Sequence, residues 1–147
     1  MSKDRFKLIP VVYLLLIKDN KVLLGRRQNT GFMDGYYMVP AGHVDGNEAA
    51  KDAMIREAKE EVGIDIDRND LEFSLILHKL SEDREDVCWY FECKNWNGEV
   101  KNMEPNKCSE IKFFDIDNLP ADTIPYIREV IEAYQRGENY LEIGFAA

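Results

Sequence analysis

One stretch constrains this chain more than any other: AGHVDGNEAAKDAMIREAKEEVGI, residues 41 to 64. A glycine-bearing loop, Ala41 to Asn47, leads into a helical run from Glu48 to Val62, and Gly63 stands where a left-handed C-terminal cap belongs. With successive residues about 100° apart around the axis, Met54, Ala58, Val62 and Ile55 share one arc, which suits a buried stripe. Glu57, Glu60 and Glu61 share the adjoining arc, while Asp52, Arg56 and Lys59 lie on the side away from the glutamates. Like charges at i, i+3 and i+4 repel by about a few tenths of a kcal/mol per pair. A helix selected for stability alone would interleave lysines. The bland explanation is a solvated acidic face. Against it, the acid arc borders the buried stripe instead of opposing it, and it continues into the small side chains of Ala50 and Ala53. Clustered hard oxygens of this kind are what Mg²⁺ or Mn²⁺ accepts.

The rest of the chain reads as a frame for that segment. Val11 to Ile17 and Lys21 to Arg27 are strand-like runs flanking Lys18, Asp19 and Asn20, which fits a tight hairpin. Residues 28 to 37 form a polar and aromatic loop, and Tyr37 to Pro40 is a short extended piece. Strands are expected at Leu71 to Leu80, Val87 to Cys93 and Ile111 to Ile116, with the polar segment Ser81 to Asp86 between the first two. Ile124, Ile127, Val130, Ile131 and Tyr134 recur at helical spacing. Gly137 to Ala147 carries no clear pattern, and the apolar tail Tyr140 to Ala147 packs either on the domain or on a second subunit, as in a homodimer. Strands before, between and after two helices imply a mixed α/β domain, a sheet sandwiched by helices. A length of 147 residues implies one domain over 1–147.

Charge narrows the partners. Against 19 Lys and Arg stand 28 Asp and Glu, a net of −9, which disfavours nucleic acid and anionic membranes because phosphate backbones are gripped by clustered cations. Small phosphorylated substrates remain open, since a divalent ion held by carboxylates inverts the local potential. Lys3, Arg5 and Lys7 before the apolar run Leu8 to Ile17 imitate a signal peptide, but Pro10 interrupts the run and no small-residue cleavage site follows. Cys88, Cys93 and Cys108 form no CxxC pair and read as free thiols of a cytoplasmic protein. His43 and His78 lack a second histidine or cysteine at ligand spacing and read as surface or structural residues. Trp89 with Tyr90, and Phe113 with Phe114, should each point one ring to either face of a sheet. Phe32, Tyr36 and Tyr37 sit just before the glycine loop, where they are placed to line a substrate pocket.

The segment resembles the Nudix box at every fixed position: Gly42, Glu48, Arg56, Glu57, Glu60, Glu61 and Gly63, with Ala58 and Ile64 at the apolar sites. Seven identities at set spacings would arise by chance at roughly one in 10⁸ starting points. Ala41 replaces the first of two glycines found in many members, and the helix starts with Ala49 and Ala50 where Ser or Thr often caps, leaving Asn47 as the candidate cap. The resemblance implies a Nudix-type α/β/α sandwich with a mixed β-sheet, and Mg²⁺- or Mn²⁺-dependent hydrolysis of a nucleoside diphosphate linked to another moiety. It implies Glu60 and Glu61 as principal metal ligands, Glu57 as a further ligand or as the base, and Arg56 as the group that orients a glutamate, with Glu60 or Glu48 its partner. It also implies a close approach of the Gly42 backbone to metal or phosphate, and a ligand outside the box, for which Glu104 is the candidate and Glu99 and Glu110 the alternatives. Arg27 resembles the phosphate-binding arginine of triphosphate-cleaving members, and its neighbour Arg26 should point to the opposite face. The short chain looks most like the MutT-like enzymes that convert nucleoside triphosphates, oxidised ones included, to monophosphate and pyrophosphate. An ADP-ribose or nucleotide-sugar hydrolase is the alternative, and a non-catalytic nucleotide-binding domain is a third.

Overall fold

A computed structural model describes residues 3–146, so Met1, Ser2 and Ala147, the ends of the expected domain and tail, lie outside it. Among the described residues, eight strands, two α-helices and one 3₁₀ turn (Arg68–Asp70, between α1 and β5) follow the order β1 (Ile9–Lys18), β2 (Lys21–Arg27), β3 (Tyr37–Met38), β4 (Ala41–His43), α1 (Ala50–Val62), β5 (Glu72–Leu80), β6 (Glu85–Cys93), β7 (Cys108–Asp115), α2 (Pro125–Gln135) and β8 (Tyr140–Ile143). The sheet runs β3-β2-β1-β6-β5-β8, with β4 also paired to β1 and β7 to β2. It is mixed, since β1 lies parallel to β6 and β5 parallel to β8 while the other pairs are antiparallel.

β1 is the central strand, which is why its sequence is apolar without interruption from Val11 to Ile17. Its side chains alternate between two cores. Val12, Leu14 and Leu16 pack with Ala53, Met54, Ala58 and Val62 of α1. Val11, Tyr13 and Leu15 face the other way, toward Ile127, Val130 and Ile131 of α2. The molecule is therefore the expected α/β/α sandwich. Trp89 and Phe113 face the α1 side and Tyr90 and Phe114 the α2 side, as the alternation required. The β1–β2 turn places Asp19 and Asn20 at φ 51° and 61°, the left-handed conformation that a two-residue hairpin turn needs and that these residues tolerate.

Five local expectations change. α1 begins at Ala50 with Ala49 at its N-cap and no side-chain cap, so Asn47 is not the cap; at φ 64° it turns the preceding loop instead. The buried stripe includes Ala53, which was expected on the acid arc, while Ile55 is only partly buried. Residues 41–43 pair with Val11–Tyr13 as a strand and are not loop. The tail expected to be featureless holds β8, paired to Ile76–Lys79 of this same chain. β6 and β7 each start earlier than their apolar runs, at Glu85 and Cys108, because ladder pairing extends past the hydrophobic residues.

Candidate active site

Gly42 lies at the centre of β4, against the glutamate face of α1. A Cβ built on it would overlap the side chain of Glu57, so only glycine lets strand and carboxylate come this close. Arg56 organises the acids around that contact. Its guanidinium donates two bonds to Glu48, Nε to Oε2 at 2.8 Å and Nη2 to Oε1 at 3.0 Å, a bidentate pair. Nη1 donates to Glu57 at 2.8 Å and lies 3.5 Å from Glu60, and Nη2 also donates to the His43 carbonyl at 3.1 Å. Of the two partners expected for Arg56, Glu48 is the tight one. Arg56 drives the Glu48 carboxyl down to about 2, aided by the Asp45 backbone N–H that it accepts at 3.0 Å.

The three box glutamates differ in setting. Glu57 is 15% exposed and clamped by Arg56; Glu60 is 54% exposed and looks outward. Glu61 faces the cleft and receives the Ala41 N–H at 3.4 Å. Burial pushes its carboxyl well above the ordinary range, and a hydrogen bond with Glu57, the Glu57 charge and nearby Glu104 push it the same way. Two carboxyl groups crowded together in an enclosed place are a donor set that a cation would relieve. Among the described residues no three acidic, histidine or cysteine side chains are already drawn together as a cage. The set fits Mg²⁺ or Mn²⁺ nonetheless, because such ions take one or two carboxylates and complete their shell with water and phosphate oxygens.

Beside Glu61 opens a cleft of about 390 Å³, walled by Arg26 and Arg27 of β2, Ala41, Glu61, and Glu104 and Lys107 of the segment before β7. Glu104, expected as the outside acid, is brought here by Met103 N–H bonding to the Glu61 carbonyl at 3.1 Å. Glu99 is exposed and not on this wall; Glu110 faces elsewhere and accepts the Tyr37 hydroxyl at 3.0 Å. Arg27 donates to the Phe32 carbonyl at 2.7 Å, to Thr30 Oγ1 at 3.0 Å and to Met38 Sδ at 3.2 Å. Arg26 turns instead to Asp122 at 2.9 Å and over the Tyr37 ring. Of the three aromatics expected around the pocket, Phe32 and Tyr36 are exposed and none of the three lines the cleft. Tyr37, paired across β2–β3 with Arg26, is buried in the α2-side core beside Phe114.

Some groups around the site were not legible in advance. Asn29, Thr30 and Lys107 line the cleft. The Asp34 carboxylate holds the loop by accepting the Thr30 and Gly31 N–H groups at 3.1 and 3.0 Å, a turn signature that the Asn, Gly and Asp content only hinted at. His43 lies exposed at the surface, its Nε2 facing Arg84 at 3.0 Å. His78 likewise pairs with Glu85 at 2.6 Å. The three cysteines are free thiols, and no helix among the described residues is long and apolar enough to cross a membrane.

Comparison with known proteins agrees with this geometry. The chain is 33% identical over 145 residues to an ADP-ribose pyrophosphatase of Methanocaldococcus jannaschii, covering 95% of this chain and 81% of that protein. It is 30% identical over 149 aligned positions to an RNA pyrophosphohydrolase of a Wolbachia of Brugia malayi, covering 88% of this chain and 87% of that one. The fold matches a crystal structure of a MutT NUDIX hydrolase from Burkholderia pseudomallei with a TM-score of 0.79 at 22% identity, over 86% of this chain and 98% of that one. The NUDIX domain profile matches residues 7–134, which span both cores, the glutamate helix and the cleft, and the chain belongs to the NUDIX family.

Proposed function

We propose that this protein hydrolyses a phosphoanhydride bond in a nucleoside diphosphate-linked substrate, namely a nucleoside triphosphate, oxidised forms included, giving monophosphate and pyrophosphate. The observation that carries this reading is the Arg56-ordered glutamate face pressed on Gly42 beside a cleft that also bears Arg27. Bound Mg²⁺ or Mn²⁺ would offset phosphate charge and polarise the bond to be broken. Glu60 and Glu61, with Glu57 and Glu104, would hold it. Glu57, fixed by Arg56, supplies a further oxygen or takes the proton of the attacking water, and the Gly42 backbone leaves room for the phosphates. Arg27, whose three acceptors are all uncharged, keeps its positive charge for substrate. The substrate is a small nucleotide and not a polynucleotide, in keeping with the net charge of −9. Three free thiols suit a reducing cytoplasm.

ADP-ribose hydrolysis is the second reading, favoured by the archaeal relative that matches 95% of this chain. Purified protein with Mg²⁺ is assayed chromatographically on nucleoside triphosphates including 8-oxo-dGTP, on ADP-ribose, on nucleotide sugars and on triphosphate-ended RNA, with chelator and Glu60→Gln controls. Chelator-sensitive release of monophosphate and pyrophosphate, lowered by about a hundredfold or more in Glu60→Gln, is the expected result. Preference for ADP-ribose would replace the first reading with the second. Metal-dependent binding without cleavage of any of them would make this a nucleotide-binding domain.

A further inference from the structure

The cleft carries three cations, and they are not equivalent. Arg26 is neutralised by Asp122 at 2.9 Å. Arg27 bonds only uncharged acceptors, and Lys107 has no carboxylate within 4.0 Å among the described residues. Arg27 and Lys107 thus stand on the same cleft as the acids Glu61 and Glu104, neither of them paired directly with a carboxylate, and their charges remain available to an anionic ligand.

Lys107 is exposed, but its backbone is not free. The Gln28 N–H donates to the Lys107 carbonyl at 2.9 Å, Gln28 Nε2 to the Pro105 carbonyl at 2.7 Å, and Asn29 Nδ2 to the Asn106 carbonyl at 3.0 Å. These three bonds lock the segment carrying Lys107 to the residues directly after Arg27. On its other side, Lys107 N–H and Cys108 N–H both donate to the Glu104 carbonyl, at 2.9 and 3.0 Å. Lys107 thus sits on one tight turn with Glu104, the acid whose charge is felt by Glu61. The backbone that carries the Lys107 side chain is therefore fixed between Glu104 and the residues after Arg27.

We infer that Lys107, together with Arg27, is a specificity-determining residue that binds the phosphates beyond the scissile bond, the part that leaves as pyrophosphate. The inference rests on the triphosphate reading above. Beyond its pyrophosphate ADP-ribose presents an uncharged sugar, which gives an ammonium group little to hold. A triphosphate presents a further charged phosphate, for which a charge-assisted hydrogen bond is strong.

The test compares wild type, Lys107→Gln and Lys107→Arg in kcat/KM for a nucleoside triphosphate and for ADP-ribose, and in equilibrium binding of an α,β-methylene triphosphate and of ADP-ribose. In Lys107→Gln the triphosphate-to-ADP-ribose ratio should fall by about tenfold in both measurements, the size expected for one charged hydrogen bond. Lys107→Arg should recover most of it, and the melting temperature should not change. An unchanged ratio, or an equal fall for both ligands, overturns the inference while leaving the hydrolase reading intact. Wild type that neither cleaves nor binds triphosphate removes that reading and this one with it. Because the binding arm needs no turnover, a wild type that binds without cleaving still decides the role of Lys107.

Discussion

Gly42 shows how one missing side chain can shape a site. Its would-be Cβ meets the Glu57 carboxyl and the methylene next to it, not backbone, so a larger residue would displace Glu57 more readily than it would displace β4. Glu57 in turn is one of four acceptors gathered by Arg56, which means a shift there is passed to Glu60 and Glu48. On the hydrolase reading proposed above, Gly42→Ala should therefore keep its fold and thermal melt close to wild type while kcat/KM drops by about a hundredfold, the size expected when groups at the chemistry are displaced by about 1 Å. Wild-type turnover in that variant would show that catalysis does not depend on where Glu57 sits. The nearness of the glycine, the arginine and the glutamates was legible from the sequence because one helix and the short segment before it set their spacing. Lys107 was not readable. Its place beside Arg27 depends on Gln28 and Asn29 bonding to a segment 77 positions away, and no local pattern records that.

At the scale of elements, α1 starts without a side-chain cap, and the loop before it is held by other means. Glu48, two residues ahead of the helix, accepts the Asp45 N–H and both faces of the Arg56 guanidinium fork, tying loop 43–48 to the second turn of α1. The tie depends on ionisation. In the folded protein the Glu48 carboxyl is lowered from its ordinary 4.5 to about 2, so its contribution is fully present above 4.5 and is lost as pH falls from there toward 2. Thermal melts of wild type and Glu48→Gln should accordingly differ at pH 6 to 7, wild type being the more stable, and converge as the pH is lowered through that window. A gap that persisted to the acid end would mean that Glu48 acts through shape and not through charge. The helix itself was legible from its stripe and its terminal glycine, which adopts φ 73° as a left-handed cap should. β4 and β8 were not, since three and four residues are too few for alternation to register, and each exists only because a long neighbour, β1 or β5, offers an open edge.

The whole molecule rests on one sheet with a core on each face, and β6 crosses both. Cys88 belongs to the α2-side core and Cys93 to the α1-side core, each fully buried, with burial pushing the thiols up to about 12 and about 11. Neither has reactive thiolate at neutral pH while the protein is folded, so each can be labelled only when its own core opens. Cys108, half-buried at the cleft, is the least buried of the three thiols. In a Cys108→Ser background, labelling by a disulfide reagent in increasing denaturant thus reads the opening of the two cores independently. If the sheet and both helices form one cooperative unit, Cys88 and Cys93 should become reactive with the same opening free energy and the same denaturant slope, because each then waits for the same global unfolding. A lower slope and earlier labelling at Cys88 would show that α2 and β8 detach while α1 and the glutamate site stay folded. The equal-slope outcome is the one the structure favours. β1 contributes alternate residues of a single buried strand to both cores, so neither layer can lose its packing without removing the wall on which the other is built.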